Sequence, residues 1–326
     1  MLYNGIHLIA EDANMAQYVT RKILQGLLMV VTVSILVFSM LHLMPGDPID
    51  LMVDRKVPQA KREAMRADYG LDQPLPVQYL NWANNILHGN LGTSIRTKMP
   101  VNALFAARLP ATLTLTGISL LVQIVIALPL GLLAAYKKGS IFDRIVMGIS
   151  LFFAAIPPFW TAVMLILILA VTLNMLPISG FETANSYILP VASMVLGSVA
   201  STIRMTKSEV LDVLREKYVL TAYAKGLTRR TVLVKHVLRN ALILVVTLIL
   251  MNIPWLISGA VIIENIFVIP GMGALLTNSI LNQDFAVVQA IVLLIAVLTV
   301  ICNLLSDIIN AILDPRIRAS YGGGEG

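Results

Sequence analysis

Six long apolar runs dominate the sequence, and none of them contains Asp, Glu, Lys or Arg. They cover residues 23–43, 112–136, 145–173, 187–203, 241–263 and 285–306. A helix needs about 20 residues to cross about 30 Å of hydrocarbon, and all the runs except 187–203 have that length. That shorter run is rich in Ala, Ser and Gly, which suits close packing against other helices. The pattern predicts an all-α, polytopic membrane protein with six transmembrane helices.

The overall charge agrees with a membrane location. Charged residues make up 13% of the chain, about half of what a soluble domain carries. Lys137, Lys138 and Arg144 bracket the second connection, and residues 204–239 hold nine basic against three acidic residues. Because short basic loops stay in the cytoplasm, we expect residues 204–240 and both termini there. The first connection is also basic, but long loops cross the membrane largely regardless of their charge, so we expect it outside.

These considerations divide the chain into five parts. We expect a cytoplasmic N-terminal extension (1–18), a first transmembrane helix (19–44), an extracytoplasmic loop with short helices (45–108), a five-helix core (109–308) that includes the cytoplasmic loop 204–240, and a cytoplasmic tail (309–326). Met15 precedes the basic flank and is an alternative start, so residues 1–14 are given no role. The first apolar run is too long for a cleaved signal peptide.

Local patterns add detail to this plan. Residues 58–69 and 74–88 of the outer loop have helical patterns, and the second of these carries the aromatic residues Tyr79 and Trp82. Prolines at 157–158 and 254 predict kinks inside the third and fifth runs.

No motif for nucleotide binding or catalysis is present. The chain lacks a Gly-x-x-x-x-Gly-Lys-Ser/Thr loop, a Gly-x-Ser-x-Gly elbow and a His-Glu-x-x-His helix. An ion-gradient carrier would need a titratable relay inside the membrane, and an intramembrane enzyme would need a catalytic constellation at the same depth. The apolar runs offer neither, so we expect no cofactor or metal in this chain. Transport by such a chain would need energy from a partner.

The best place for a partner to dock is the segment 204–240. Its basic part is YVLTAYAKGLTRRTVLVKHVLRN (residues 218–240), which carries five Lys or Arg residues and no acid. Before it, Thr206 and Glu209 match a capping box, which predicts a helix start. Residues 216–225 predict a short helix with Gly226 as its C-terminal cap, and residues 228–240 predict a further basic helix. A loop that only sets topology is the competing interpretation.

Within this segment, TAYAKG (221–226) resembles the peptide-type variant of the EAA loop in membrane subunits of binding-protein-dependent ABC importers. Leu220 and Thr221 replace the first Glu and Ala of the general EAA-x-x-x-G pattern, and Ala222 and Gly226 keep their places. Further stretches resemble the same family in the same order: MPGDP (44–48), GNLGTS (89–94), HVLRNAL (236–242), ENIFVIPGMG (264–273) and LDPRIR (313–318).

The resemblance implies a non-catalytic permease subunit of an ATP-driven importer of di- or oligopeptides in a prokaryotic cell membrane. The implied partners are a second homologous permease, one or two cytoplasmic ATPase subunits that bind ATP-Mg, an extracytoplasmic substrate-binding protein and membrane lipid, with no nucleic acid. Family members also import glutathione-like peptides, nickel chelates and sugars, so the substrate stays open.

The resemblance also suggests which residues act. The ATPase-coupling residues are expected to be Thr221, Ala222, Ala224, Lys225, Gly226 and Arg229. For the pathway or gate, we single out Asn252, Pro254, Trp255 and Glu264. A carboxylate at position 264 could contact a bound peptide or the binding protein, and fixing a helix end or loop is its alternative role.

Overall fold

A computed structural model describes residues 2–43, 58–68, 71–181, 183–232 and 237–313. Within these ranges the chain is helical, and its one extended pairing is an isolated bridge between Thr93 and Pro100. The long helices are α1 (Leu2–Leu43), α4 (Val101–Tyr136), α7 (Ile188–Val213), α10 (Leu238–Ile266) and α12 (Phe285–Leu313). The shorter ones are α2 (Gln59–Asp68), α3 (Leu75–Leu87), α5 (Ile141–Ala155), α6 (Pro158–Leu165), α8 (Lys217–Ala224), α9 (Arg229–Val232) and α11 (Met272–Leu281).

Several helices are long and apolar enough to cross a membrane. In the described part of the chain four segments meet this condition alone: Gln17–Met40, Val101–Tyr136, Ala184–Val213 and Phe285–Ala311. A fifth is formed if α5 is counted together with α6 and the π-helical turn Ile166–Thr172 that follows it. The all-α polytopic fold is thus confirmed, and the number six stays a prediction.

The third apolar run is broken rather than continuous. α5 ends at Ala155, α6 begins at Pro158, and the two axes differ by 99°. A proline disfavours the helical conformation at the residue before it, and Ile156, which precedes Pro157, is extended (φ −92°, ψ 126°). The predicted kink at these prolines is confirmed as a sharp break, whereas Pro254 lies inside the continuous helix α10.

Helix α7 is the centre of the bundle and packs against α4, α5, α6 and α10. It buries a larger share of its residues than the other described spans, as its small side chains predict. It packs tightly on α4 at Gly131, where an added Cβ would lie 2.7 Å from Thr206 Cβ and 2.9 Å from the Ile203 carbonyl oxygen. The missing side chain at Gly131 therefore sets the spacing of the two helices.

Two helices lie in the outer loop where the sequence predicts them. α2 and α3 match the expected segments 58–69 and 74–88 to within one residue at each end. The α3 aromatic residues Tyr79 and Trp82 pack against Phe38 of α1, with ring centroids 5.5 Å and 5.7 Å from the Phe38 ring. This contact seats α3 on the first long helix.

Helix α1 begins at Leu2, and the part of it that is long and apolar enough to cross a membrane is Gln17–Met40; the first transmembrane helix at 19–44 stays a prediction. The helix start predicted at Thr206 is wrong, since α7 continues to Val213. Thr206 is 3% exposed against Gly131, and its hydroxyl has no hydrogen-bond partner among the described residues.

Candidate functional site

The short helix α8 lies in the basic segment between α7 and α10. It ends in a Schellman motif: Gly226 N–H donates to the Tyr223 carbonyl at 2.9 Å, and Leu227 N–H donates to the Ala222 carbonyl at 3.3 Å. Gly226 has φ +79°, a left-handed conformation that glycine adopts at no steric cost. The predicted helix over 216–225 and its cap at Gly226 are confirmed.

One face of α8 is seated on the ends of α4 and α7. Its Val219 and Ala222, which are 0% and 6% exposed, pack in a buried cluster with apolar residues of both helices. The other buried members are Ala135, Val210, Val213, Val232 and Val237. The cluster thus includes side chains from four helices, α4, α7, α8 and α9, so that α8 packs directly on α4 and α7.

The opposite face of α8 is open. Thr221, Ala224, Lys225 and Gly226 are exposed, and a Cβ added at Gly226 would meet no atom within 4 Å. Leu220 is 58% exposed on the same short helix. Leu220 stands where the general EAA-x-x-x-G pattern has Glu, so this exposed position is apolar in this chain.

The predicted coupling residues therefore fall into two groups. Ala222 faces inward and supports the helix, while Thr221, Ala224, Lys225 and Gly226 share the open surface. Arg229 begins α9, three residues beyond Gly226, and its side chain lies outside what the structure describes.

An ion pair near the cluster on which α8 packs was not predicted from the sequence. Lys207 Nζ of α7 lies 2.5 Å from Asp143 Oδ1 of α5, and their side chains are 17% and 7% exposed. The other carboxylate oxygen accepts a hydrogen bond of 2.9 Å from Gly139 N–H, and Ser140 caps the same helix end. The Ser140-x-x-Asp143 spacing matches a capping box and was the available clue. The pair ties the start of α5 to α7.

Glu264 forms a second, separate polar centre at the end of α10. It is fully buried and accepts hydrogen bonds from Thr112 Oγ1 at 2.5 Å, Gly273 N–H at 2.7 Å and Ala274 N–H at 3.1 Å. Thr112 Oγ1 in turn accepts from Met272 N–H at 2.8 Å. The carboxylate thus caps α11 and joins it to α4 and α10, which favours the loop-fixing role.

The structure places the two predicted groups far apart. Thr112, which contacts Glu264, and Ala135, which contacts the α8 cluster, are both on α4. Their separation along that helix is about 35 Å, since an α-helix rises 1.5 Å per residue. Pro254 is half-buried within α10, and the side chains of Asn252 and Trp255 lie outside the described set. Among the described residues, no group of three or more His, Cys, Asp or Glu could hold a metal ion.

The bundle of long apolar helices defines an integral membrane protein, with the short exposed helix α8 at one end. Comparison with known families gives the same class. Residues 127–319 match the binding-protein-dependent transport system inner membrane component, and residues 15–116 match the N-terminal part of such membrane components. The chain belongs to the family of binding-protein-dependent transport system inner membrane components.

Curated relatives are similar along nearly the whole chain. The oligopeptide transport system permease protein AppB of Bacillus subtilis (strain 168) is 41% identical over 315 residues, covering 93% of this chain and all of the relative. The dipeptide transport system permease protein DppB of Escherichia coli (strain K12) is 35% identical over 336 residues, covering 93% and 99%.

A solved structure has a similar fold. In an inward facing conformation of the MetNI methionine ABC transporter, one chain superposes with a TM-score of 0.53 at 20% identity, covering 67% of this chain and 96% of that one. Family membership makes this protein a non-catalytic, multi-pass subunit of the plasma membrane, with ATPase subunits and a substrate-binding protein as its partners.

Proposed function

We propose that this protein is the permease subunit of an ATP-driven importer that forms half of a translocation pathway for di- or oligopeptides. A second, homologous permease subunit would supply the other half, and an extracytoplasmic binding protein would deliver the peptide. The observation that carries the proposal is the 41% identity to an oligopeptide permease over 93% of the chain. The relative at 35% identity is a dipeptide permease.

We further propose that α8 docks in a groove of a cytoplasmic ATPase subunit. Its open face combines an apolar side chain (Leu220), small residues (Ala224, Gly226) and a cation (Lys225). Small residues permit close approach of another backbone, and the cation suits an acidic partner. ATP-Mg would bind to the ATPases, and their closure would push α8 toward the bundle.

The seat of α8 supports this coupling role. Val219 and Ala222 transmit force to α4 and α7 through the buried cluster, and the pair Asp143–Lys207 extends the connection to α5. Ala222 then acts as a support of the docking helix rather than a contact of the ATPase. This arrangement requires α8, and with it both chain termini, to be cytoplasmic, as the basic loops predict.

Gly226 offers a sharp test because the chain contains a matched control. Gly226 and Gly89 have φ values of +79° and +78°, and a Cβ at either would meet nothing within 4 Å. Asn is among the residues that best tolerate this conformation, so Gly226→Asn and Gly89→Asn should cost the same in backbone strain. Only Gly226→Asn adds a side chain to the proposed ATPase surface.

The experiment purifies each variant from its native membrane in mild detergent and measures co-purifying ATPase and ATP-dependent peptide uptake in proteoliposomes. We expect the wild type and Gly89→Asn to retain both, and Gly226→Asn to lose both. Peptide uptake by this chain alone, without an ATPase, would contradict the proposal. If both Asn variants lose ATPase binding and peptide uptake to the same extent, α8 is not the docking site.

A further inference from the structure

A cavity of about 200 Å³ lies at the end of α4 remote from α8. Its lining includes Ser94, Arg96, Leu104, Arg108, Asn278 and Asp284. We infer that this cavity takes an acidic side chain of the extracytoplasmic binding protein and so fixes that protein on the permease. The inference rests on the proposed importer function, which supplies such a partner.

The cavity wall is built by a clamp between distant parts of the chain. Ser94 Oγ donates to Asp284 Oδ2 at 2.5 Å, and Ile95 N–H donates to Asp284 Oδ1 at 3.1 Å. Ser94 Oγ also accepts from Thr97 N–H at 3.0 Å, and Ser94 and Asp284 are 1% and 3% exposed. This buried clamp fixes the short loop that carries Arg96 against the turn between α11 and α12.

The cavity carries excess positive charge. Arg96 is exposed and Arg108 is half-buried, and in the described ranges neither guanidinium has an ion-pair or hydrogen-bond partner. Both oxygens of Asp284, the one acid in the lining, already accept hydrogen bonds from the loop. Two cations facing one occupied carboxylate attract an anion, and a guanidinium binds a carboxylate through two parallel hydrogen bonds.

The position of the cavity along α4 indicates the side of the membrane on which it opens. Arg108 is near the first residue of α4, Val101, while the last turn of that helix joins the α8 cluster. A helix of 36 residues is about 54 Å long at 1.5 Å per residue, longer than the bilayer is thick. With α8 on the ATPase side, the cavity opens on the side from which the binding protein approaches.

The size of the cavity selects the occupant. Small-molecule sites usually enclose about 300–1,000 Å³, and this one is about 200 Å³. One Asp or Glu side chain fits that space, whereas a whole peptide does not. This small size favours a docking contact between proteins over a substrate chamber.

The test uses the complete complex in lipid nanodiscs and its own peptide-loaded, fluorescently labelled binding protein as the probe. Arg96→Glu and Arg108→Glu are each expected to raise the Kd of the binding protein by about 10-fold or more, because like charges then meet. Lys61→Glu on α2 makes the same charge change outside the cavity and should leave Kd unchanged. Basal ATP hydrolysis without binding protein should stay at the wild-type level in all three, which shows intact folding.

Other outcomes overturn the inference. Unchanged Kd in both Arg variants rules out the docking contact. A second outcome would assign the arginines to the substrate instead. In that case Kd is unchanged, but at saturating binding protein the variants lose uptake of peptides with a free C-terminal carboxylate and retain uptake of C-amidated peptides. A wild-type complex that neither binds the protein nor takes up peptide would refute the proposed function itself.

Discussion

The spacing of α4 and α7 leads to a prediction about stability. Replacing Gly by Ala should destabilise the protein at position 131 of α4 but not at position 117 of the same helix. In Gly131→Ala the new methyl group would lie 2.7 Å from Thr206 Cβ and 2.9 Å from the Ile203 carbonyl, whereas ordinary contacts begin at 3.4 Å. In Gly117→Ala it would meet nothing within 4 Å. Gly131→Ala must therefore push α7 away by several tenths of an ångström, and Gly117→Ala need not move anything.

The magnitudes follow from these distances. Overpacking of a tight contact lowers the free energy of unfolding by about 1–3 kcal/mol, and replacing Gly by Ala inside a helix raises it by about 0.5–1 kcal/mol. Gly131→Ala should thus lower the free energy of unfolding by up to about 2.5 kcal/mol, while Gly117→Ala should leave it unchanged or raise it by up to about 1 kcal/mol.

The assay is the Tm of the intact complex in nanodiscs, paired with ATP-dependent uptake. A change of 1 kcal/mol corresponds to about 2–4 °C for domains of 150–250 residues, so Gly131→Ala should lower Tm by several degrees. Since Gly131 precedes the α8 seat by about one turn, we also expect weaker coupling of ATP hydrolysis to uptake. Equal Tm changes in the two variants would refute the claim that Gly131 sets the helix spacing.

Three further predictions concern the polar centres and the turn after α10. Asp143→Ala and Lys207→Ala each leave a partly buried charge without its partner and should destabilise the complex by about 1–3 kcal/mol, and the exchanged pair Asp143→Lys with Lys207→Asp should recover part of the loss. Glu264→Ala leaves two buried donors and one part-buried donor without an acceptor and should cost about 3 kcal/mol or more. Glu264→Gln should cost less, and equal losses measured by Tm would contradict this account. Gly273→Ala should prevent assembly, measured by co-purification, because its Cβ would collide with the Val261 backbone, and Gly259→Ala, with open space around it, should assemble normally.

Much of the fold is predictable because its causes are local. The uncharged runs, the outer helices α2 and α3, the break at Pro157 and the cap at Gly226 depend on residues close together in sequence. The capping box at Thr206 shows the limit of such reasoning. The same four residues fit a helix start or a helix interior, and packing against Gly131 decides for the interior.

The candidate site was predictable in position and less so in orientation. The segment that forms α8 could be chosen from its charge and its glycine, but an eight-residue helix is too short for its inward face to be read from periodicity. The inward position of Ala222 depends on Ala135 and Val210, which are distant in sequence. The partners of Glu264 include Thr112, 152 residues earlier, so no local pattern could reveal that the carboxylate joins α10 to α4.

The seating of α8 has a consequence for attempts to imitate it. Isolated helices shorter than about 12–15 residues are marginal in water, and α8 has eight residues, so its shape is maintained by the helix ends on which it packs. A synthetic peptide copying residues 217–226 would therefore be a poor competitor for the natural partner. Swapping this stretch between related transporters should succeed only when the residues beneath it are exchanged as well.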